Sequence, residues 1–320
     1  AARVLAVAQG YDPHDPYARH LAMGTAPWER GFRFGVPSPL AFHGDAAAAD
    51  AFDAAVERLA ALGGTPVPVD YAPLAGAAAL LYESALVAER YAAVRDFVDR
   101  QSAQIVEPVR GILLAGRGYS AADLCAAQTR LRAYGQQAAA MWERIDLLLV
   151  PTAPTHYTIA QMLADPVVLN RNLGAYTNFV NLLDYAAISV PSSLRADGLP
   201  FGITLIGPCG SDWQLAELGQ RYHQATGLPQ GATGVPLGPP GPIPGLQAPS
   251  GVRVAVVGAH LSGMPLNAQL LERGARLVAE TRTGPDYRLF ALPATVPPKP
   301  GLLRVAAGQG HAIALEVWEM

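Results

Sequence analysis

The chain has 320 residues, 51% of them hydrophobic and only 15% charged, with a net charge of −3. That composition describes a globular chain with much to bury, in one large domain or in a medium and a small one, and it excludes the basic face that nucleic-acid binding requires. No apolar run reaches the ~18–20 residues needed to cross a bilayer, so no membrane partner is expected; the only cysteines, Cys125 and Cys209, make neither a disulfide framework nor a zinc set, which points to a reducing, cytoplasmic compartment.

The chain opens without a Met in what reads as the middle of a helix, Ala1 to Gln9, and on that ground it reads as a fragment. The loop Gly10 to Tyr17 is dense in Pro and Asp. Phe32 to Val36 and Thr65 to Val69 are short strand candidates. Between them Phe52, Val56, Leu59 and Leu62 repeat at helical spacing over Ala46 to Leu62, with Gly63 closing the helix. Strand, helix and strand in that order predict a βαβ unit with a parallel pair. Leu74 to Arg100 predicts one long helix, and Ser120 with Asp123 forms a capping box that opens another, to about Ile145. Asp146 to Val150 is a buried strand ending in a stiff PTAPT loop.

The stretch Tyr176 to Pro208 reads as a helix (Asn178 to Leu183), a strand stopped by Pro191 (Ala187 to Val190), a turn at Ala196-Asp197-Gly198 and a second strand (Phe201 to Ile206), in the middle of a large sheet. Ser211 with Gln214 caps a further helix that Gly227 ends. Alternating helices and strands predict an α/β domain over residues 1–228. Residues 229–251 are too rich in Pro and Gly for regular structure and read as an extended linker. Residues 252–320 hold strands at Val252 to Val257, Tyr287 to Leu292 and Ala312 to Trp318 and a helix near Ala268 to Arg273; they read as a small α+β domain, cut after a strand.

Arg90 is the informative residue of the long helix. Its neighbours three and four positions away, Leu86, Val87, Ala93 and Val94, offer no acid. Either its stem packs on that apolar face and its head reaches water, or its guanidinium faces a pocket and pairs with an anion, for which the arginine fork is suited. Tyr82, eight residues earlier and ~12 Å along one helix axis, lines the same cleft or is simply a half-buried aromatic. Asp12, His14 and Asp15 fit no standard ligand spacing and read as turn formers. Ser192-Ser193 lacks flanking glycines and reads as loop. Beyond the linker, the glycines of GAHLSG let a backbone approach a ligand closely, and His260 is either a structural loop histidine or a proton carrier near neutral pH.

These segments carry a family resemblance. GLPFGITLIGP resembles the C-terminal sheet segment of amidase-signature hydrolases. TNFVNLLD…ISVP, YESALVAERY, GYDPHDPYAR, VAVVGAHLSGMPLNAQL and TRTGPDYRLFALP resemble allophanate hydrolases. The resemblance implies an amidase-signature-type mixed sheet flanked by helices, in part, followed by a small γ-glutamylcyclotransferase-like domain. It implies hydrolysis of allophanate (urea carboxylate) to ammonia and carbon dioxide by a Ser-Ser-Lys triad in a preceding half. No Gly/Ser-rich segment for that triad is present, and the only lysine is Lys299, so this chain alone is expected to be inactive. Tyr82 and Arg90 are the implied substrate-binding residues, and an anion pocket at GAHLSG is implied for the small domain. There His260 is the candidate proton carrier, and Glu316 and Glu319 are acid candidates by position. A small anionic amide is the substrate and a urea carboxylase the implied partner, with a homodimer compatible; no metal, biotin or nucleotide is implied. The alternatives are another amidase of a small amide and a non-catalytic interaction subunit.

Overall fold

The computed structural model describes residues 1–28, 31–246, 252–296 and 299–320. The chain divides into two compact units, Ala1–Gln247 and Ala248–Met320.

The strands of the first unit are Arg33–Ser38 (β1), Thr65–Asp70 (β2), Leu147–Pro151 (β3), Ala186–Leu194 (β4) and Pro200–Gly207 (β5). Its helices, in chain order, are Ala2–Ala8 (α1), Ala46–Ala61 (α2), Ala72–Glu83 (α3), Val87–Gln101 (α4), Val109–Ala115 (α5), Ala121–Ala139 (α6), Ile159–Ala164 (α7), Pro166–Leu173 (α8) and Asp212–Thr226 (α9). The sheet order is β2-β1-β3-β5-β4. β1 is parallel to β2, as the βαβ pattern predicts, and also to β3, while β5 runs antiparallel to β3 and β4. Every residue of β3 is buried because both faces of the sheet are covered, which is why its sequence is a continuous apolar run. Leu147 and Leu149 join Phe34, Phe52, Leu59 and Tyr222 beneath α2 and α9. Leu148 and Val150 join Leu74, Ala77, Tyr176 and Phe179 beneath α3 and α6. Each buried leucine, valine or phenylalanine among them contributes about 1.5–3 kcal/mol of burial.

The helix ends follow local chemistry. Asp45 accepts from the Ala48 N–H at 3.0 Å and opens α2, and the Ser120–Asp123 capping box opens α6. Gly227, at φ +67°, closes α9 in the left-handed region open to glycine. At the outer strand β2, the Thr65 N–H donates to the Phe32 carbonyl, so residues 65, 67 and 69 face β1 while 66, 68 and 70 face outward. Pro66 and Pro68 fill two of those outward positions and remove their donors.

Four local expectations need correction. The 74–100 helix is two, α3 and α4, broken where Ser84 is extended (φ −143°, ψ 175°). The buried Ser84 Oγ donates to the Leu80 carbonyl at 2.6 Å and accepts from the Leu86 N–H at 3.3 Å, replacing helical bonds at the break. Residues 178–183 form consecutive turns rather than a helix: Val180 N–H donates to the Thr177 carbonyl and Asp184 takes φ +58°. The driving contact there is aromatic packing of Phe179 against Tyr71 and Tyr185. The 186–207 hairpin is not mid-sheet. β4 is the outer strand and continues through Pro191 to Leu194 with a register slip at Pro191/Ser193, as an outer strand tolerates, so Ser192-Ser193 lies in a strand and not a loop. Ser211 stands at the start of α9, but its hydroxyl donates to the Pro208 carbonyl at 2.7 Å, and Gln214 reaches the Ala26 carbonyl instead of completing a cap.

Residues 229–246 contain neither helix nor strand. They are tied to α9: Gln220 and Gln224, one turn apart, donate to the carbonyls of Gly241 at 2.9 Å and Gly238 at 2.8 Å. A Cβ at Gly245 would lie 2.0 Å from the buried Trp213 ring nitrogen. The last part of the expected linker, 247–251, lies outside the described residues.

The second unit comprises Arg253–Val256 (β6), Ala268–Leu271 (α10), Arg276–Arg282 (β7), Tyr287–Ala291 (β8), Pro300–Arg304 (β9) and Ala314–Glu319 (β10). β6, β10 and β7 form an antiparallel sheet over a small core of Val256, Leu270, Ala275 and Trp318, and β8 pairs with β9. β7 and β9 were not expected. Six of the seven β7 residues are exposed, so it carries no inside–outside alternation to read.

Candidate functional site

Tyr82 lies in the last turn of α3 and Arg90 in the first turns of α4. The break at Ser84 means that their spacing is not two turns of one axis. Across the break, the Arg90 guanidinium carbon stands 4.8 Å from the centre of the Tyr82 ring. A guanidinium on a tyrosine face gains ~0.5–2 kcal/mol and leaves its N–H fork free to bind. Both side chains line a cavity of about 530 Å³ walled by Val109, Ile112 and Leu113 of α5, Met162 of α7 and Val167 of α8. Among the described residues no carboxylate pairs with Arg90. The other charges lining the cavity are Glu83 and Arg171, which pair with each other at 2.6 Å. Asn170 adds an amide. Apolar walls, one unpaired cation, a phenol and an amide can bind a small carboxylate-bearing amide.

The other sequence candidates separate. Asp12 accepts from the His14 N–H and Asp15 from the Tyr17 N–H, both at 2.9 Å, so these carboxylates close turns. Ser192 is buried and bonds Tyr222 Oη at 2.7 Å and Arg58 at 3.3 Å, while the buried Ser193 hydroxyl, without a partner among the described residues, lines a mainly apolar cavity. Among the described residues no histidine, lysine or carboxylate reaches either hydroxyl to act as a base.

A cluster beyond the reach of sequence reasoning lies past the carboxyl ends of β1, β3 and β4. Arg195, 7% exposed, pairs with Asp45 (14% exposed) and with Asp197, both at 2.7 Å. Thr155 donates to Asp45 at 3.1 Å, and an Arg195 N–H donates to His156 Nδ1 at 3.3 Å. Burial pushes the Asp45 carboxyl up, but the bonds from Arg195, the Ala48 N–H and Thr155 outweigh it and hold the group below the usual carboxylate range. Asp45 lies 110 and 150 residues from its partners Thr155 and Arg195, which hid this network.

In the second unit, Gly258 takes φ +69° and passes so close to Pro300 that a Cβ would lie 2.3 Å from it. The loop it opens presents the Ser262 N–H, which donates to both oxygens of the buried Glu316 at 3.0 and 2.8 Å. Trp318 Nε1 donates to the same carboxylate at 2.9 Å. The loop amide is therefore engaged by the chain's own carboxylate. His260 Nε2 lies 3.1 Å from Gln269 Oε1 and does not bond Glu316. Glu319 instead pairs with Arg276 at 2.8 Å and Arg253 at 3.5 Å, away from that loop.

A mixed sheet helix-covered on both faces in the first unit, and an antiparallel sheet in the second, define the class as a two-unit α/β protein. The chain belongs to the amidase family: residues 1–216 match the family model described as Amidase, and residues 252–320 match the model described as Allophanate hydrolase C-terminal domain. It is 36% identical over 323 residues to a urea amidolyase of Saccharomyces cerevisiae, covering 97% of this chain and 18% of that protein. A selenomethionine-substituted allophanate hydrolase from Kluyveromyces lactis superposes with a TM-score of 0.76 at 34% identity, over 99% of this chain and 54% of that one. A 6-aminohexanoate cyclic dimer hydrolase shares the fold, with a TM-score of 0.58 at 20% identity over 70% of this chain and 52% of that one. The chain thus spans about half of the allophanate hydrolase structure and about a fifth of the urea amidolyase.

Proposed function

We propose that this chain is the substrate-recognition part of an allophanate hydrolase, a hydrolase of C–N bonds. The observation that carries the reading is Arg90, stacked on Tyr82 at 4.8 Å in an apolar-walled cavity without an acid partner among the described residues. Arg90 takes the carboxylate of allophanate in two parallel bonds, and the Tyr82 hydroxyl addresses its amide end. An uncharged amide would leave the arginine unpaired and bind poorly. The Ser-Ser-Lys group expected of the class has no counterpart in this sequence, whose lone Lys299 falls in the second unit, so we assign it to residues beyond these 320. There a serine hydroxyl would add to the amide carbonyl, ammonia would leave, and water would release the acyl group.

We read residues 1–228 as the C-terminal half of the amidase domain, 229–251 as the linker and 252–320 as the γ-glutamylcyclotransferase-like domain. His260 is its candidate proton carrier, and the Glu316–Ser262 contact marks where an anion would sit. A urea carboxylase is the partner this reading favours; the names of the urea amidolyase relatives support it. A cytoplasmic setting is favoured because Cys125 and Cys209 are both free; among the described residues no helix is long and apolar enough to cross a membrane. Self-assembly as a homodimer is part of the same reading. The match of residues 252–320 tells against an amidase of another small amide.

The test is ammonia release from allophanate by the whole protein and by its Arg90→Ala variant. We expect the variant to lose about 2–4 kcal/mol of recognition in kcat/KM. An unchanged value removes Arg90 from the site. The 320-residue chain alone should release none; release would overturn the placement of the triad outside it.

A further inference from the structure

The Tyr82–Arg90 cavity holds more than one arginine, and its charge balance has a visible cause. Glu83, the last residue of α3, follows directly on Tyr82 and faces Arg171 in the last turn of α8, at 2.6 Å. Both line the cavity with Arg90. Two arginines and one glutamate leave a single uncompensated positive charge among the described lining residues. Glu83 and Arg171 are about half exposed, at 51% and 49%, so their pairing adds little to stability; their charges nevertheless act on whatever enters.

We propose that Glu83 is a specificity residue that restricts this pocket to monoanions. The inference rests on the reading of the cavity as the substrate site and names its ligand class: a compact molecule with one carboxylate and an amide. The carboxylate pairs with Arg90. The amide end lies toward Asn170 and Tyr82, where a neutral group meets no penalty. A second carboxylate at that end meets Glu83, a like charge whose own partner is already committed, and is rejected. Glu83 thus works by exclusion while Arg90 works by attraction.

The test compares succinamate, a monoanionic amide, with succinate, a dianion of similar size, as competitive inhibitors of the whole protein near neutral pH. The wild-type protein should favour succinamate. Glu83→Gln frees Arg171 and should shift the preference toward succinate by about three- to tenfold, the size of one charge–charge interaction across ~6 Å of partly aqueous surroundings. High ionic strength should shrink that shift. Arg171→Gln leaves Glu83 unpaired and should shift the preference the other way, which keeps the test readable if Glu83→Gln does not fold. The double variant Glu83→Gln/Arg171→Gln removes both charges and should give a ratio between those of the wild type and Glu83→Gln. A ratio unmoved by Glu83→Gln and by Arg171→Gln overturns the inference. Arg90→Ala separates the two levels. If it weakens both inhibitors while the Glu83 and Arg171 variants leave the ratio unmoved, only the role of Glu83 falls; if neither inhibitor responds to Arg90→Ala, the pocket assignment itself falls.

Discussion

Arg195 shows how much one side chain can hold when it is desolvated. It joins Asp45, at the start of α2, to the turn after β4, with both partners of the main pair partly buried. Removing Arg195 leaves the Asp45 carboxylate partly desolvated and without its cation, so Arg195→Leu should cost about 1–3 kcal/mol in a urea titration. The same pair makes stability depend on pH with a definite sign. Asp45 ionises below the ordinary carboxylate value of about 3.9 in the folded state, so its contribution is complete above that value and is lost as the pH falls through the folded one. The drop in unfolding free energy below about pH 4 should therefore be shallower in Asp45→Asn, and an identical slope would exclude the mechanism. Cysteine chemistry gives a second prediction at this scale. The Cys209 thiol is pushed up by burial and by the neighbouring Asp184, with Arg19 pulling the other way, whereas Cys125 is exposed. Iodoacetamide should alkylate Cys125 several-fold faster, read by peptide mass spectrometry; equal rates would contradict it.

At the scale of elements, the α3–α4 break matters more than either helix. An unbroken helix would hold Tyr82 and Arg90 ~12 Å apart; the break brings cation and ring into contact. Ser84→Ala removes a buried hydroxyl with two bonds and should cost about 1–3 kcal/mol in the same titration. It should also weaken succinamate binding in the whole protein; unchanged affinity would show that the pocket survives without the break. Nothing in YESALVAERY announces the break, because one serine in an alanine-rich run is a weak signal and the hydroxyl that stabilises it acts only once the turn exists. By contrast α2, the Ser120–Asp123 cap and the buried β3 were legible, since local spacing and local side chains specify them. The 178–183 turns were not, because aromatic contacts from Tyr71, over 100 residues away in sequence, override the helical periodicity. The Glu83–Arg171 pair, 88 residues apart, was equally invisible; Arg90's lack of an acid at helical spacing and the resemblance carried by YESALVAERY were what pointed to the cavity.

For the molecule as a whole, the two units carry unequal cores. The first buries two large clusters on either side of its sheet, whereas the second relies on Val256, Leu270, Ala275 and Trp318. Amides of β6, β7 and β10 should exchange with deuterium well before those of β1, β3 and β5; uniform protection would mean that the units open together. The composition break near residue 229 marks the Pro/Gly stretch, while the two units divide at 247/248; the bonding of that stretch to α9 was not legible, since backbone carbonyls leave no sequence pattern. Pro66 and Pro68 have a consequence that belongs to folding in time. The β1–α2–β2 unit spans fewer than forty consecutive residues, so its closure is entropically cheap and it can form while β3, nearly eighty residues further on, is still unstructured. A nascent parallel pair ordinarily exposes two sticky flanks to neighbouring chains. Here one flank lacks two of its outward donors from the outset, so strands are recruited more readily from the β1 side, and the half-finished sheet meets a crowded surrounding with one margin blunted.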